Sequence, residues 1–343
     1  MNIDSYNYNL PEKLISIYPR DNRSSSKLLI INRQNGKIIH ERFYNIDNFL
    51  DNNSLIVFND TKVIPARLLL KKETGGKIEI LLNNPIGPNR WSAMFHSSRP
   101  PKINDYILNI DKKVFKVVDI KEYLLILDFL GDNFNKFLEN TGKVPLPPYI
   151  LKKRNGEIFP EDKDFYQTIF AKQNGAVAAP TAGIHFDKNI MDKINNKGIK
   201  MVPITLHVGM GTFHPIKVND FKKHKMHSEW LEISQKSAKL ITDAKKNGKK
   251  IIAIGTTTVR ALEGVFSINS EVSAFKGTTE IFIYPGFKFR VVDQMVTNFH
   301  LPKSTLLLMV SAFAGKSNIF NAYQEAIKNE YKFYSYGDAM FIR

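Results

Sequence analysis

The stretch that decides the fold reads AVAAPTAGIHF (176–186), then IKMVPITLHVGMGTFHPI (199–216) and KMHSEW (225–230). Ile199 to Val208 is too continuously apolar and β-branched for a half-exposed strand, so it reads as a strand covered on both faces. Before it, Asp187 is placed to cap a helix carrying Ile190, Met191 and Ile194 on one side, and Gly198 to end that helix in a left-handed turn. His185, His207, His214 and His227 each begin or follow an apolar run, which puts polar tips on buried strands, where α/β proteins build sites. Gly209-Met210-Gly211-Thr212 would let a ligand approach backbone N–H groups closely, although the same glycines equally serve a plain tight turn.

The device recurs on both sides of this stretch. Leu55 to Phe58 is a buried-strand candidate ending in Asn59-Asp60-Thr61-Lys62. A helix over 234–247, stopped by Gly248, feeds a strand at 251–254. That strand ends in Gly255-Thr256-Thr257-Thr258, and the next helix carries Val259, Leu262 and Val265. These threonines are placed to cap it, leaving its first amides for an anion or hydroxyl, with Arg260 one turn in. Residues 279–284 read as a further strand, 296–302 as a strand running into a polar turn at His300, and 304–314 as a mostly buried helix. Residues 331–341 close the chain.

Between these parts the pattern changes. Residues 68–71, 77–82, 91–95, 105–110, 114–120 and 123–129 are short alternating segments separated by turn residues, with Gly75-Gly76 marking a hairpin. Six short strands without helices predict a small closed or nearly closed barrel. The Pro-rich Val144-Pro145-Leu146-Pro147-Pro148-Tyr149 returns the chain to the main body. The expected architecture is an α/β main domain with a mixed, barrel-like sheet and covering helices over residues 1–66 and 146–343, plus an inserted small all-β barrel over 67–145.

A chain of 343 residues, 43% hydrophobic, is ample to bury such cores. It has no cysteine, which excludes disulfides, thiolate catalysis and Cys-based zinc sites and fits a reducing compartment. The polar start MNIDSYNYNL lacks a signal-sequence pattern, and the longest mostly apolar run, 306–315, is half of what a bilayer span needs. These features predict a soluble, cytoplasmic protein without a membrane partner, and a monomer is the expected state. Net charge is +16 with a pI near 9.6, which would attract a polyanion such as RNA. Lys dominates the 49 basic residues and Asn is abundant, so composition alone offers a second explanation. Basic clusters occur at Lys152-Lys153-Arg154, Lys222-Lys223-His224-Lys225 and 245–250.

Taken together, FNDTKVIPARL, GKVPLPPYI, FYQTIFA, AVAAPTAGIHF, ITLHVGMGTFHPI, MHSEW, AIGTTTVRALE, TEIFIYPG, VTNFHLPKSTLLLMVSAFAG and FYSYGDAMFI resemble, in order and over nearly the whole chain, the S-adenosylmethionine:tRNA ribosyltransferase-isomerase family of queuosine biosynthesis. The resemblance implies an enzyme that moves the ribosyl part of S-adenosylmethionine onto 7-aminomethyl-7-deazaguanine in the tRNA anticodon loop, at the wobble position, giving epoxyqueuosine, adenine and methionine. S-adenosylmethionine is then a co-substrate, and no step calls for a metal.

Such chemistry needs a general base of near-neutral pKa, donors for ribose oxygens, a group for the departing adenine and a dry pocket. His207 is the candidate base, with His185 and His300 in similar turns; each also reads as a satisfied core histidine. Arg260 is placed to hold the methionine carboxylate or, alternatively, to pair with Glu263 at i,i+3. Asp60, Glu229 and Asp338 are candidate acceptors for ribose hydroxyls or the substrate amine. Thr181, Gly209, Gly211, Thr212, Thr256, Thr257 and Thr258 supply small donors. Three positions depart from the family pattern: His214 and Phe165, the latter where Arg is common, and the loosely matching FHSSRP (95–100). Two rivals stand beside this reading. His224, His227 and Glu229 suggest a metal-dependent hydrolase, since His at i,i+3 share a helix face; charge and 37 Phe plus Tyr suggest a non-catalytic RNA-binding protein.

Overall fold

Continuously apolar runs demand burial on both faces. The computed structural model, which describes residues 2–87, 89–121, 124–209, 216 and 218–343, places them at the centre of a nine-stranded mixed sheet. The chain divides into a main unit (1–62, 165–173 and 179–343) and a smaller unit (63–164 and 174–178). In chain order the strands are β1 (Lys27–Ile31), β2 (Ile38–Arg42), β3 (Ser54–Asn59) and β4 (Thr61–Val63). Then come β5 (Arg67–Lys72), β6 (Lys77–Gly87), β7 (Arg90–His96), β8 (Tyr106–Asn109), β9 (Lys112–Lys121) and β10 (Leu124–Phe129). The remainder are β11 (Gln173–Ala176), β12 (Lys200–Leu206), β13 (Glu229–Ile233), β14 (Lys250–Ile254), β15 (Phe275–Thr279), β16 (Gln294–Asn298) and β17 (Ala339–Ile342).

In the main unit the sheet order is β15-β13-β12-β3-β14-β16-β17-β1-β2. The four central strands β12, β3, β14 and β16 are mutually parallel, and β13 and β17 flank them antiparallel. Against one face lies a core of Leu28, Ile56, Ile252, Val296 and Phe341 with Ile190 and Ile194 of the helix Lys188–Asn196. Burial of each of those two isoleucines contributes about 1.5–3 kcal/mol. Asp187 caps that helix as expected, its Oδ1 accepting from the Ile190 amide at 2.9 Å, and Gly198 follows it at φ +71°. Ser234 likewise caps the helix Gln235–Lys246, and Ser304 the buried helix Thr305–Ala314.

The smaller unit carries a closed antiparallel barrel, β10-β7-β6-β5-β8-β9, whose six strands match the six alternating segments. Alternation sends Leu68, Leu70, Ile78, Ile80 and Leu82 inward. Trp91, Phe115 and Phe129 close with Phe134 and Phe137 of the helix Phe134–Thr141, Trp91 stacking on Phe134 at 5.2 Å.

Several local expectations are corrected. The strand expected at 279–284 is β15, ending at Thr279; Ile283 is buried and Phe282 and Tyr284 pack edge-on, so that apolar run serves packing and not ladder pairing. The helix Thr256–Asn269 is capped by Gly255 at φ +87°, with no side-chain cap bond from the threonines. Residues 224–228 are not helical, so His224 and His227 share no helix face.

Candidate active site

Parallel pairing puts the carboxyl ends of β3, β12, β14 and β16, at Asn59, Leu206, Ile254 and Asn298, along one edge of the sheet. Antiparallel pairing brings the starts of β13 and β17 to the same edge, because Leu231 faces Leu206 and Ala339 faces Asn298. β1 runs parallel to β17, so its start lies there too. Strand direction alone therefore gathers Asp60, His207, Glu229, the Gly255–Thr258 turn, His300 and Asp338 on one rim, the place where open α/β sheets bind ligands.

At the β12–β3 part of the rim, Asn59 locks two strand ends: its Nδ2 donates to Leu206 O (2.9 Å) and its Oδ1 accepts from Leu206 N (3.0 Å). Asp60 Oδ1 accepts from Thr205 Oγ1 at 2.6 Å, and burial raises its pKa. Thr61 Oγ1 lies 2.7 Å from His207 Nδ1, and Trp230 stacks on the imidazole with centroids 4.6 Å apart and planes 17° from parallel. Burial lowers the His207 pKa to about 4. The ring is thus neutral near pH 7, held on one nitrogen and one face, with Nε2 making no hydrogen bond among the described residues.

Next along the rim, Glu229 Oε1 accepts from the Gly209 amide at 3.1 Å and Oε2 pairs with Arg260 Nη1. Arg260 Nε donates to Ile281 O at 3.3 Å, while Nη2 is buried and has no hydrogen-bond partner among the described residues. Glu263 does not join this pair. Its carboxylate accepts from the amides of Arg290, Val291 and Val292 at 2.9–3.0 Å, and burial outweighs those bonds to raise its pKa. Among the threonines, Thr257 Oγ1 accepts from Asn59 Nδ2 at 3.4 Å, Thr258 Oγ1 donates to Ile254 O at 2.6 Å, and Thr256 is buried.

At the β16–β17–β1 part, His185 is held on both nitrogens, 2.9 Å from Ser26 Oγ and 3.2 Å from Asn298 Nδ2, with Phe43 against its ring. Burial first, then the Arg20 charge, lowers its pKa to about 3. Thr181 donates to Asn298 Oδ1 at 3.4 Å. His300 Nε2 lies 2.8 Å from Thr297 Oγ1, and burial lowers its pKa to about 3. Asp338 accepts from Arg20 Nη2 (2.8 Å), Lys27 N (2.7 Å) and Lys332 N (2.6 Å); burial raises its pKa against the Arg20 charge. Arg20, His185 and Phe165 line a cavity of about 20 Å³.

The rim therefore brings together nearly all the described candidates, in surroundings that residue type alone does not convey. None of the three histidines titrates near neutrality, because each is desolvated without an acidic partner. His185 is the satisfied core histidine of the duller reading, and Asp338 and Glu229 spend their oxygens on protein donors. Gly211, Thr212 and His214 lie outside the described residues. Thr61, Trp230, Asn59, Asn298 and Arg20 emerge only from the fold; Asn59 and Asn298 sit within motifs already singled out, whereas Arg20 carries no local signal. No group of three His, Asp or Glu among the described residues is placed to hold a metal ion, and Glu229 is committed to Arg260. No helix among them is long and apolar enough to cross a membrane.

Comparison with known proteins matches the chain along nearly its whole length. The family model described as "Queuosine biosynthesis protein" matches residues 3–342. The chain is 45% identical over 346 residues to the S-adenosylmethionine:tRNA ribosyltransferase-isomerase of Caldanaerobacter subterraneus subsp. tengcongensis, covering 100% of both chains. It is 45% identical over 347 residues to the protein of the same name from Halothermothrix orenii, again with 100% coverage of both. A crystal structure of the S-adenosylmethionine tRNA ribosyltransferase of Thermotoga maritima matches with a TM-score of 0.58 and 30% identity, covering 99% of this chain and 100% of that one. With the match running from one end of the described strands to the other, this chain belongs to the queuosine biosynthesis protein family.

Proposed function

We propose that this chain transfers and isomerises the ribosyl moiety of S-adenosylmethionine onto 7-aminomethyl-7-deazaguanine at the tRNA wobble position, forming epoxyqueuosine and releasing adenine and methionine. The observation that carries the reading is the rim itself: a neutral imidazole whose Nε2 makes no hydrogen bond among the described residues and a buried guanidinium whose Nη2 has no partner among them, set on one sheet edge beyond the ends of β12 and β14 with β3 between. His207 Nε2 takes a proton from the ribose methylene, which the neighbouring sulfonium acidifies; the sugar opens and adenine departs. Burial makes His207 a reluctant base, so the acidity of that carbon has to offset it. The aminomethyl nitrogen of the deazaguanine then adds to C4′ and releases a proton, the sulfur-stabilised carbanion so formed at C5′ bonds to the C1′ aldehyde carbon and closes a five-membered carbocycle, and the resulting alkoxide displaces the sulfonium sulfur from C5′, making the epoxide and freeing methionine.

Around these steps the remaining residues divide the work. Arg260 Nη2 donates to the methionine carboxylate, and Glu229 positions Arg260. Asp60, with its raised pKa, is suited to carry a proton toward the leaving adenine. Thr181, Thr256 and the amides of Thr256, Thr257 and Thr258 face ribose or carboxylate oxygens, since the first amides of a helix have no intrahelical acceptor. Asp338 and His185 position the rim through Arg20, Ser26 and Asn298. The test is to incubate the purified chain with S-adenosylmethionine and tRNA bearing the deazaguanine. Equal amounts of adenine, methionine and tRNA gaining the epoxycyclopentane mass are expected; S-adenosylmethionine recovered intact with unmodified tRNA would overturn the reading.

A further inference from the structure

The amino-end edge of the same sheet, opposite the rim, holds a cavity of about 480 Å³ that none of the chemistry above uses. It opens where β14 and β16 begin, at Lys250 and Gln294, and where β1 and β17 run out to Arg33 and Arg343. Its acids are already matched: Asp293 accepts two 3.1 Å bonds from Lys245 and one from the Ile251 amide, and Asp51 faces Lys250 at 3.7 Å. The two arginines are not. Arg33 packs its guanidinium over the Phe313 ring at 4.7 Å and makes no side-chain hydrogen bond among the described residues; Arg343 has only a 3.5 Å contact to Phe49 O. Gln294 is 8% exposed, and its Oε1 is buried without a hydrogen-bond partner among the described residues.

A buried amide oxygen left unpaired costs free energy, and the two guanidiniums that line the same cavity have no bidentate partner among the described residues. We infer that this cavity is a second binding site, for a nucleotide: the phosphate on Arg33 and Arg343, the base edge on the Gln294 amide. Planar guanidinium forks match phosphate oxygens, a primary amide offers the paired donor and acceptor that read a base edge, and the volume lies in the range of small-ligand pockets. A plain anion would leave Gln294 unanswered, and an uncharged ligand would leave the arginines so. The site goes beyond the proposed reaction and lies away from it, since β16 separates Gln294 from Asn298 of the rim by about 13 Å. The nucleotide is either free or part of an RNA chain.

Calorimetric titration of the full chain with adenosine 5′-monophosphate, guanosine 5′-monophosphate and the unphosphorylated nucleosides, beside filter binding of an unmodified tRNA transcript, separates the two sources. The expected result is that Arg33→Gln weakens either the mononucleotides (a free ligand) or the transcript (a chain-borne nucleotide) at least tenfold, that Arg33→Lys restores part of the loss, and that the nucleosides bind poorly throughout. Gln294→Leu keeps the volume and is expected to bring the ratio of adenosine to guanosine monophosphate affinity to one, or, for the transcript, to weaken binding at unchanged salt dependence. A Gln294→Leu protein indistinguishable from wild type would reduce the cavity to an anion site and overturn the inference. So would mononucleotide and transcript affinities that Arg33→Gln leaves unchanged.

Discussion

Arg260 is paired with Glu229 of β13 and not with Glu263, its neighbour one turn along the same helix. Helical spacing favours the i,i+3 partner, but the loop at 290–292 aims three amides at Glu263 and occupies it. Arg260 is thereby turned toward the rim, its Nη1 on Glu229 and its Nη2 without a hydrogen-bond partner among the described residues. Both partners of the Arg260–Glu229 pair are 3% exposed, so each is an uncompensated buried charge without the other.

Arg260→Ala is accordingly expected to lose about 3–5 kcal/mol of stability in urea denaturation, because it strands Glu229. The double variant Arg260→Met/Glu229→Gln, which removes both charges, should recover much of that loss while still binding S-adenosylmethionine poorly. A single variant as stable as wild type would show that the pair does not form.

The buried histidines give the protein an acid-sensitive stability. His300 has a folded pKa near 3 against about 6.5 unfolded, so the unfolded chain binds the proton and stability falls as pH drops below 6.5. Above 6.5 the contribution is fully present. The raised carboxyls of Asp60, Glu263 and Asp338 act in the opposite sense, so the effect is read by difference. Between pH 4 and 6 the wild-type slope should exceed that of His300→Gln by about 1.4 kcal/mol per pH unit. Parallel pH profiles would mean that His300 is protonated in the folded protein.

Gly337 sets the turn that delivers Asp338. A Cβ there would lie 2.5 Å from Lys332 O and 2.6 Å from the Phe333 carbonyl carbon, both backbone, so neither can swing away. Gly337→Ala is expected to cost about 1–3 kcal/mol in thermal or urea denaturation. It should also lower ribosyl transfer, since Asp338 holds Arg20 at the rim. Unchanged stability would place the turn elsewhere.

If the basic charge serves tRNA, affinity for tRNA should fall steeply between 50 and 200 mM salt, by roughly a thousandfold for six phosphate contacts. Lys245 and Lys250 are expected to contribute little, being engaged by Asp293 and Asp51. A flat salt response would leave the charge as composition.

How much of this was legible in the sequence follows from how local each signal is. The barrel strands were, because alternation and glycine turns are written residue by residue. The buried parallel strands at 54–59, 200–206 and 250–254 were too, from runs that only double-sided burial explains. β1 and β2 carry a weaker signal, the Asn35-Gly36 turn between them with Gly36 at φ +72°. The candidate positions were legible as strand tips, but their partners were not. Trp230 on His207, Arg20 on Asp338 and Ser26 on His185 join residues far apart in the chain. The low pKa of each histidine is likewise a property of burial, which residue type does not carry.

The central claim is that His207 acts chemically at the rim. The most direct measurement is single-turnover adenine release by wild type and His207→Gln, each saturated with S-adenosylmethionine and tRNA carrying the deazaguanine, alongside tRNA affinity. The account predicts a rate about 10²–10⁴-fold lower for the variant with tRNA affinity unchanged. Equal rates of adenine release would contradict it.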